Sequence, residues 1–143
     1  MKSRFKPYIR ILMILIIVFM GIQIFTKPKN FNKVIGTDEK NITKIILKSG
    51  NNLSHVVITD NPQIQKFVNL INDRYYSRSL DQLSNRGGWW YNAEIYKGGT
   101  LLVSMTYMGG TLVYVNGTHY NVDKVISMSD MRILFNSLPL IKF

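Results

Sequence analysis

WWYNAEIYKGGTLLVSMTYMGGTLVYVNGTHYNV, residues 89–122, decides the fold. Apolar and polar side chains alternate through it, and it is punctuated by Gly98-Gly99, Gly109-Gly110 and Asn116-Gly117. Pairs of this kind suit tight hairpins, because both central residues of a type I′ turn need a positive φ. The spacing predicts four strands joined as an antiparallel meander. Alternation also sorts the side chains by face. Trp89, Tyr91, Ala93 and Ile95 share the apolar face, and Leu101, Val103, Met105 and Tyr107 continue it on the next strand. Trp90, Asn92, Glu94 and Tyr96 share the other face, beside Leu102, Ser104, Thr106 and Met108.

Upstream, NITKIILKS (41–49) and SHVVITD (54–60) read as two further strands, with the turn GNN between them. The period then changes. In DNPQIQKFVNLINDRYY (60–76) Ile64, Phe67, Val68, Ile71 and Tyr75 recur at helical spacing, with Asn61 as cap and Pro62 in the first turn. SRSLDQLSNRGG (77–88) reads as a polar connection. SMSDMRILFNSLP (127–139) offers Ser129 or Asp130 as a cap, a stripe of Met131, Leu134, Phe135 and Leu138, and Pro139 as a stop. The expected order is β-β-α-β-β-β-β-α: an α+β domain with its helices packed on one face of an antiparallel sheet.

A different segment precedes this domain. From Ile11 to Ile22 no side chain is polar, and Tyr8 to Thr26 makes 19 residues, roughly 28 Å of helix. That just spans a hydrocarbon core of about 30 Å if Arg10 snorkels to the interface. No A-x-A-like cleavage site follows in IQIFTKPKN, so an uncleaved signal anchor is expected; cleavage would make the domain secreted. Basic residues before the span outnumber those just after it, which places the N-terminus in the cytoplasm. The expected divisions are a basic cytoplasmic tail (1–7), a transmembrane signal anchor (8–26), a juxtamembrane linker (27–40) and an extracytoplasmic domain (41–143).

The net charge of +10 belongs largely to the anchor's flanks. Residues 1–33 carry seven basic side chains and no acid, whereas the remainder carries 11 basic and 8 acidic residues. A nucleic-acid binder concentrates Lys and Arg on its folded surface, so that class is excluded. With no cysteine in the chain, disulfides, thiol nucleophiles, Cys-ligated zinc and lipidated cysteine are excluded as well. Abundant Ile and Asn with a single alanine, Ala93, suggest an AT-rich bacterial genome.

Catalysis finds little support in these residues. Glycoside hydrolysis needs two carboxylates about 5 to 10 Å apart, and Glu94 is the only acid in the meander before Asp123. Ser104, His119 and Asp123 can be assembled into a triad on paper, but no nucleophile elbow marks the serine. His55 and His119 form no metal-ligand pattern, and no glycine pair precedes a helix as a phosphate loop requires. No cofactor or metal is implied. The sequons at Asn41, Asn52 and Asn116 are what an Asn-rich chain produces by chance. Aromatic rings with amide and carboxylate neighbours do suit a sugar or peptide, which makes Trp90, Asn92, Glu94 and Tyr96 the candidate ligand face.

An anchor, a two-strand unit, the helix TDNPQIQKFVNLIN, the strand GGWWYNAEIYKGG, the hairpin VNGTHYNV and a short last helix follow in that order. Over residues 40–138 this resembles the small secreted or membrane-anchored domains of unknown function of Gram-positive bacteria. The resemblance implies location and fold, and brings no catalytic residues. The reading that follows is a non-enzymatic binding or regulatory module for an envelope protein, peptide or glycan. The alternatives are a membrane-associated immunity or accessory protein and, behind it, an envelope hydrolase using Glu94.

Overall fold

The structure, a computed structural model, describes residues 6–50, 54–82 and 91–139. It opens with α1 (Lys6–Phe25), long and apolar enough to cross a membrane, whose residues from Pro7 onward are all exposed. Three residues later the domain begins. Its elements are β1 (Lys29–Asn30), α2 (Phe31–Ile35), a 3-10 turn at Glu39–Asn41, β2 (Lys44–Ser49), β3 (His55–Ile58), α3 (Asn61–Asn69), β4 (Tyr75–Arg78), β5 (Tyr91–Lys97), β6 (Thr100–Tyr107), β7 (Leu112–Val115), β8 (Thr118–Val122) and α4 (Met128–Asn136). The strands form one antiparallel sheet in the order β1-β4-β8-β7-β6-β5-β2-β3.

The meander β5–β8 is as the sequence predicts, and its turns show why. Asn116 and Gly117 have φ of 45° and 83°, the left-handed values that a type I′ turn requires. The Asn116 side chain also accepts from the Ser104 N–H at 2.8 Å, tying the turn to β6. Tyr91, Ala93 and Ile95 are buried, as are Val103, Met105 and Tyr107 opposite them. Leu101 departs from the expected face. The register shifts between Ile95 and Tyr96, so Leu101 pairs with Tyr96 at the hairpin end and stays half-exposed. Trp89 lies outside the described residues.

Each short helix lays one aromatic ring over a tyrosine of the sheet. Phe31 of α2 meets Tyr76 at 6.4 Å between centroids, Phe67 of α3 meets Tyr107 edge-on at 6.4 Å, and Phe135 of α4 meets Tyr91 at 5.5 Å. These rings join Ile45, Leu47, Val56, Ile58, Ile64 and Val68 in a single core on that side of the sheet. The helices begin at short polar caps. Asp60 accepts from Gln63 N–H, and Ser127 accepts from Asp130 N–H. The caps therefore sit one residue before Asn61 and two before Ser129, because the side chain must precede the first free N–H groups.

Three expectations are corrected. The stretch 27–40 is part of the fold: β1 pairs with β4, Phe31 and Ile35 are buried, and Asn30 and Gly36 cap α2. The helix at 60–76 is shorter than its apolar period suggests. It ends at Asn69, Ile71 tucks into the core just beyond it, and Tyr75 begins β4 as an exposed residue while Tyr76 turns inward. Ser77 and Arg78, read as connection, pair with Asn121 and Tyr120 of β8.

Candidate functional site

The sheet face turned away from the helices carries three of the four expected site residues; Trp90 lies outside the described residues. Asn92, Glu94 and Tyr96 alternate along β5 with the buried Ala93 and Ile95, so pairing alone sends them outward. All three are half-buried, and neighbouring strands engage each of them.

Glu94 forms an ion pair with Lys48 of β2 and accepts a hydrogen bond at 3.0 Å from the Tyr96 hydroxyl. Burial pushes its carboxyl up, but the hydrogen bonds from Lys48 and Tyr96 outweigh that and hold it below the ordinary 4.5. The same contact holds the Tyr96 phenol above its usual value, since donation to a carboxylate favours the protonated form. The Lys44 ammonium stands 4.2 Å from the centre of the Tyr96 ring, a cation–π contact. One row along, the Asn92 amide donates to Ser104 Oγ at 3.1 Å and to Thr106 Oγ1 at 2.9 Å. The face is thus a linked set of charges and dipoles, ordered before any ligand arrives.

That order also limits its chemistry. A carboxylate held ionised by two donors is a poor proton donor at neutral pH. Glu94 is moreover the only acid on any described strand. The paper triad does not assemble. Ser104 accepts from Asn92, the Asp123 carboxylate accepts from Tyr75 N–H at 2.9 Å, and the His119 ring faces the Asp81 carbonyl at 3.3 Å and the Tyr114 ring at 4.9 Å. His55 and His119 stand on β3 and β8, five strand steps apart, which is about 24 Å at roughly 4.8 Å per step. One metal ion cannot bridge them. Among the described residues no group of three or more His, Cys, Asp or Glu gathers as metal ligands do.

No family model, curated protein or solved structure matches this chain. Its residues carry the functional argument alone.

Two features escape sequence reasoning. Helices α3 and α4 leave between them a shallow groove of about 420 Å³, lined by Lys66, Leu70, Asp130, Ile133 and Leu134. Its one sequence signal is Ile133, which falls off the apolar stripe of α4 and is exposed. The second is Arg78 at the end of β4. Its guanidinium lies 4.2 Å from the centre of the ring of Phe25, the last residue of α1, and its buried Nε has no acceptor among the described residues.

Proposed function

We propose that α1 anchors the chain in a bacterial cell membrane, with the N-terminus in the cytoplasm and the α+β domain outside. We further propose that the domain is a non-catalytic module binding an envelope protein, peptide or glycan through the open face around Asn92, Glu94 and Tyr96, with Trp90 as the adjoining aromatic. Two separate observations support this reading: an apolar helix of membrane-spanning length that the domain leaves exposed, and a sheet face where no described helix packs and where polar groups are already ordered. Ordered donors and acceptors lower the entropy lost on binding. The same carboxylate, tied down and ionised, argues against a hydrolase.

The absence of cysteine makes topology directly testable. In intact cells, a membrane-impermeant maleimide should label Thr111→Cys and leave Ser3→Cys unlabelled; the reverse pattern inverts the orientation. Full-length chain in detergent micelles then serves as bait. Trp90→Ala and Glu94→Ala should abolish capture of envelope components while stability changes by no more than about 1 kcal/mol, as at surface positions. Capture that survives both changes removes the face from consideration.

A second reading, an accessory or immunity protein guarding a membrane target, draws support from the three-residue connection between α1 and β1, which would keep the domain close to a membrane that α1 spans. It predicts that exchanging α1 for a cleavable signal abolishes protection even though the domain still folds.

A further inference from the structure

Arg78 has unusual surroundings for a cation. It closes β4 in register with Tyr120 and seats its guanidinium on the Phe25 ring. Stacking of this kind fixes the plane of the group and leaves its edge, where the N–H donors lie, free to meet a partner. Among the described residues it makes no hydrogen bond and no ion pair, and its Nε is fully buried without an acceptor. The side chain itself is half-buried, so water reaches only part of it. Other polar groups of the domain are engaged elsewhere: Glu94 with Lys48, Asp73 with Lys124, and Asp123 with Tyr75 N–H.

The location of Arg78 indicates which anion it suits. Phe25 ends an apolar helix of membrane-spanning length, so with α1 as the proposed anchor its ring and the guanidinium upon it would fall where hydrocarbon gives way to headgroups. Lys27 and Lys29 follow within four residues of Phe25 and are exposed, and β1 pairing sets Lys29 opposite Tyr76, two residues from Arg78. Leu80, two residues beyond Arg78, is exposed and suited to the acyl boundary. Guanidinium is the side-chain group best matched to two phosphate oxygens, and lysines nearby supply further positive charge.

We propose that Arg78, seated on the last ring of α1, binds the phosphate of an anionic phospholipid headgroup, with Lys27 and Lys29 as its flanking charges. The inference rests on α1 being a membrane anchor and deepens that reading by naming the lipid class and the group that receives it. The domain is then held to the bilayer by its sheet as well as by its helix.

Full-length chain in mixed micelles, titrated with phosphatidylglycerol or phosphatidylcholine and weighed intact by native mass spectrometry, tests the site. Wild type should retain phosphatidylglycerol over phosphatidylcholine by about fivefold or more, the scale of one basic residue at an anionic surface. Arg78→Met keeps the packing on Phe25 and removes the charge and the orphaned donor; it should fold and lose that preference. Arg78→Lys should retain a part of it, and Lys66→Gln, on α3, all of it. Wild type without preference, or Arg78→Met with undiminished preference, overturns the proposal. Equal displacement of the lipid by millimolar inorganic phosphate would identify a free-phosphate site and overturn the lipid assignment. Carbonate extraction of reconstituted vesicles separates the two readings: a chain that washes out refutes the anchor, whereas a chain that stays but lacks lipid preference refutes only the headgroup site.

Discussion

Phe67 meets the Tyr107 ring edge-on, with centroids 6.4 Å apart and both side chains wholly buried. An edge-on contact of this kind sets a positive ring edge against a negative ring face, and adds roughly 0.5–1.5 kcal/mol to the burial itself. Together with Phe31 on Tyr76 and Phe135 on Tyr91, it fastens three separate helices to one sheet. Phe67→Ala should therefore destabilise the domain by about 3–5 kcal/mol in chemical denaturation, with Phe67→Leu costing clearly less. A loss below about 1 kcal/mol would mean that the site collapses around the missing ring.

The boundary of the domain gives a second test. Phe31 is buried against Tyr76, so Phe31→Ala should cost about 3 kcal/mol or more, whereas a true linker residue would change stability by no more than about 0.5 kcal/mol. Fragments should follow the same logic. One beginning at Lys27 keeps β1 and α2 and should melt cooperatively. One beginning at Val34 lacks both the edge strand and the Phe31 ring, and should melt much lower or not fold at all.

On the acid side, the Glu94 carboxyl is held below its ordinary 4.5, first against burial and then by Lys48 and Tyr96. A depressed carboxyl contributes stability above its unfolded pKa, and that contribution is lost as pH falls through the folded value. Wild type should therefore lose stability as pH falls below about 4.5 through this group, and Glu94→Gln should flatten that part of the profile. At neutral pH the same substitution should cost about 1 kcal/mol or less, since the pair is partly solvated. Thermal melts across pH 3 to 7, on the order of one per half unit, read both effects.

On the alkaline side, burial first raises the phenols of Tyr76, Tyr107 and Tyr91, and hydrogen bonding to Glu94 raises Tyr96. A folded value above the unfolded 10 means that the native state holds protons the unfolded chain gives up, so stability declines as pH rises past about 10. Absorbance at the phenolate band should show these four tyrosines ionising late. Tyr76 and Tyr107, the deepest, should ionise together with unfolding. Tyr96→Phe should remove one late phenol together with its share of the alkaline decline.

What the sequence reveals depends on the length over which a pattern repeats. Meander β5–β8 is legible because alternation and glycine pairs repeat across more than thirty residues, and the outward placing of Asn92, Glu94 and Tyr96 follows from that alternation alone. By contrast, α2 has five residues, less than two turns, among three lysines and four polar residues, so its Phe31–Ile35 spacing cannot be distinguished from chance. Strand β4 is masked in another way: Tyr75 falls four residues after Ile71 and mimics one more helical turn. The partners at the site are less legible still. Lys48 reaches Glu94 from 46 residues upstream, and Arg78 reaches Phe25 from 53 residues downstream, so only the finished sheet brings them together.

The strand order also constrains when the sheet can be finished. Strand β4 lies between β1 and β8, and β8 is the last described strand in chain order. Between β1 at one edge and β2 near the other, residues 31–43 cross six strand steps, about 29 Å at roughly 4.8 Å each, with Phe31, Ile35 and Ile42 inside the core. The first residues to leave the ribosome after α1 therefore form a belt that can close only when β8, some eighty residues later, has emerged. Folding of this domain therefore waits for β8, and a break before Thr118 leaves β4, and β1 with it, without the strand that joins them to the meander.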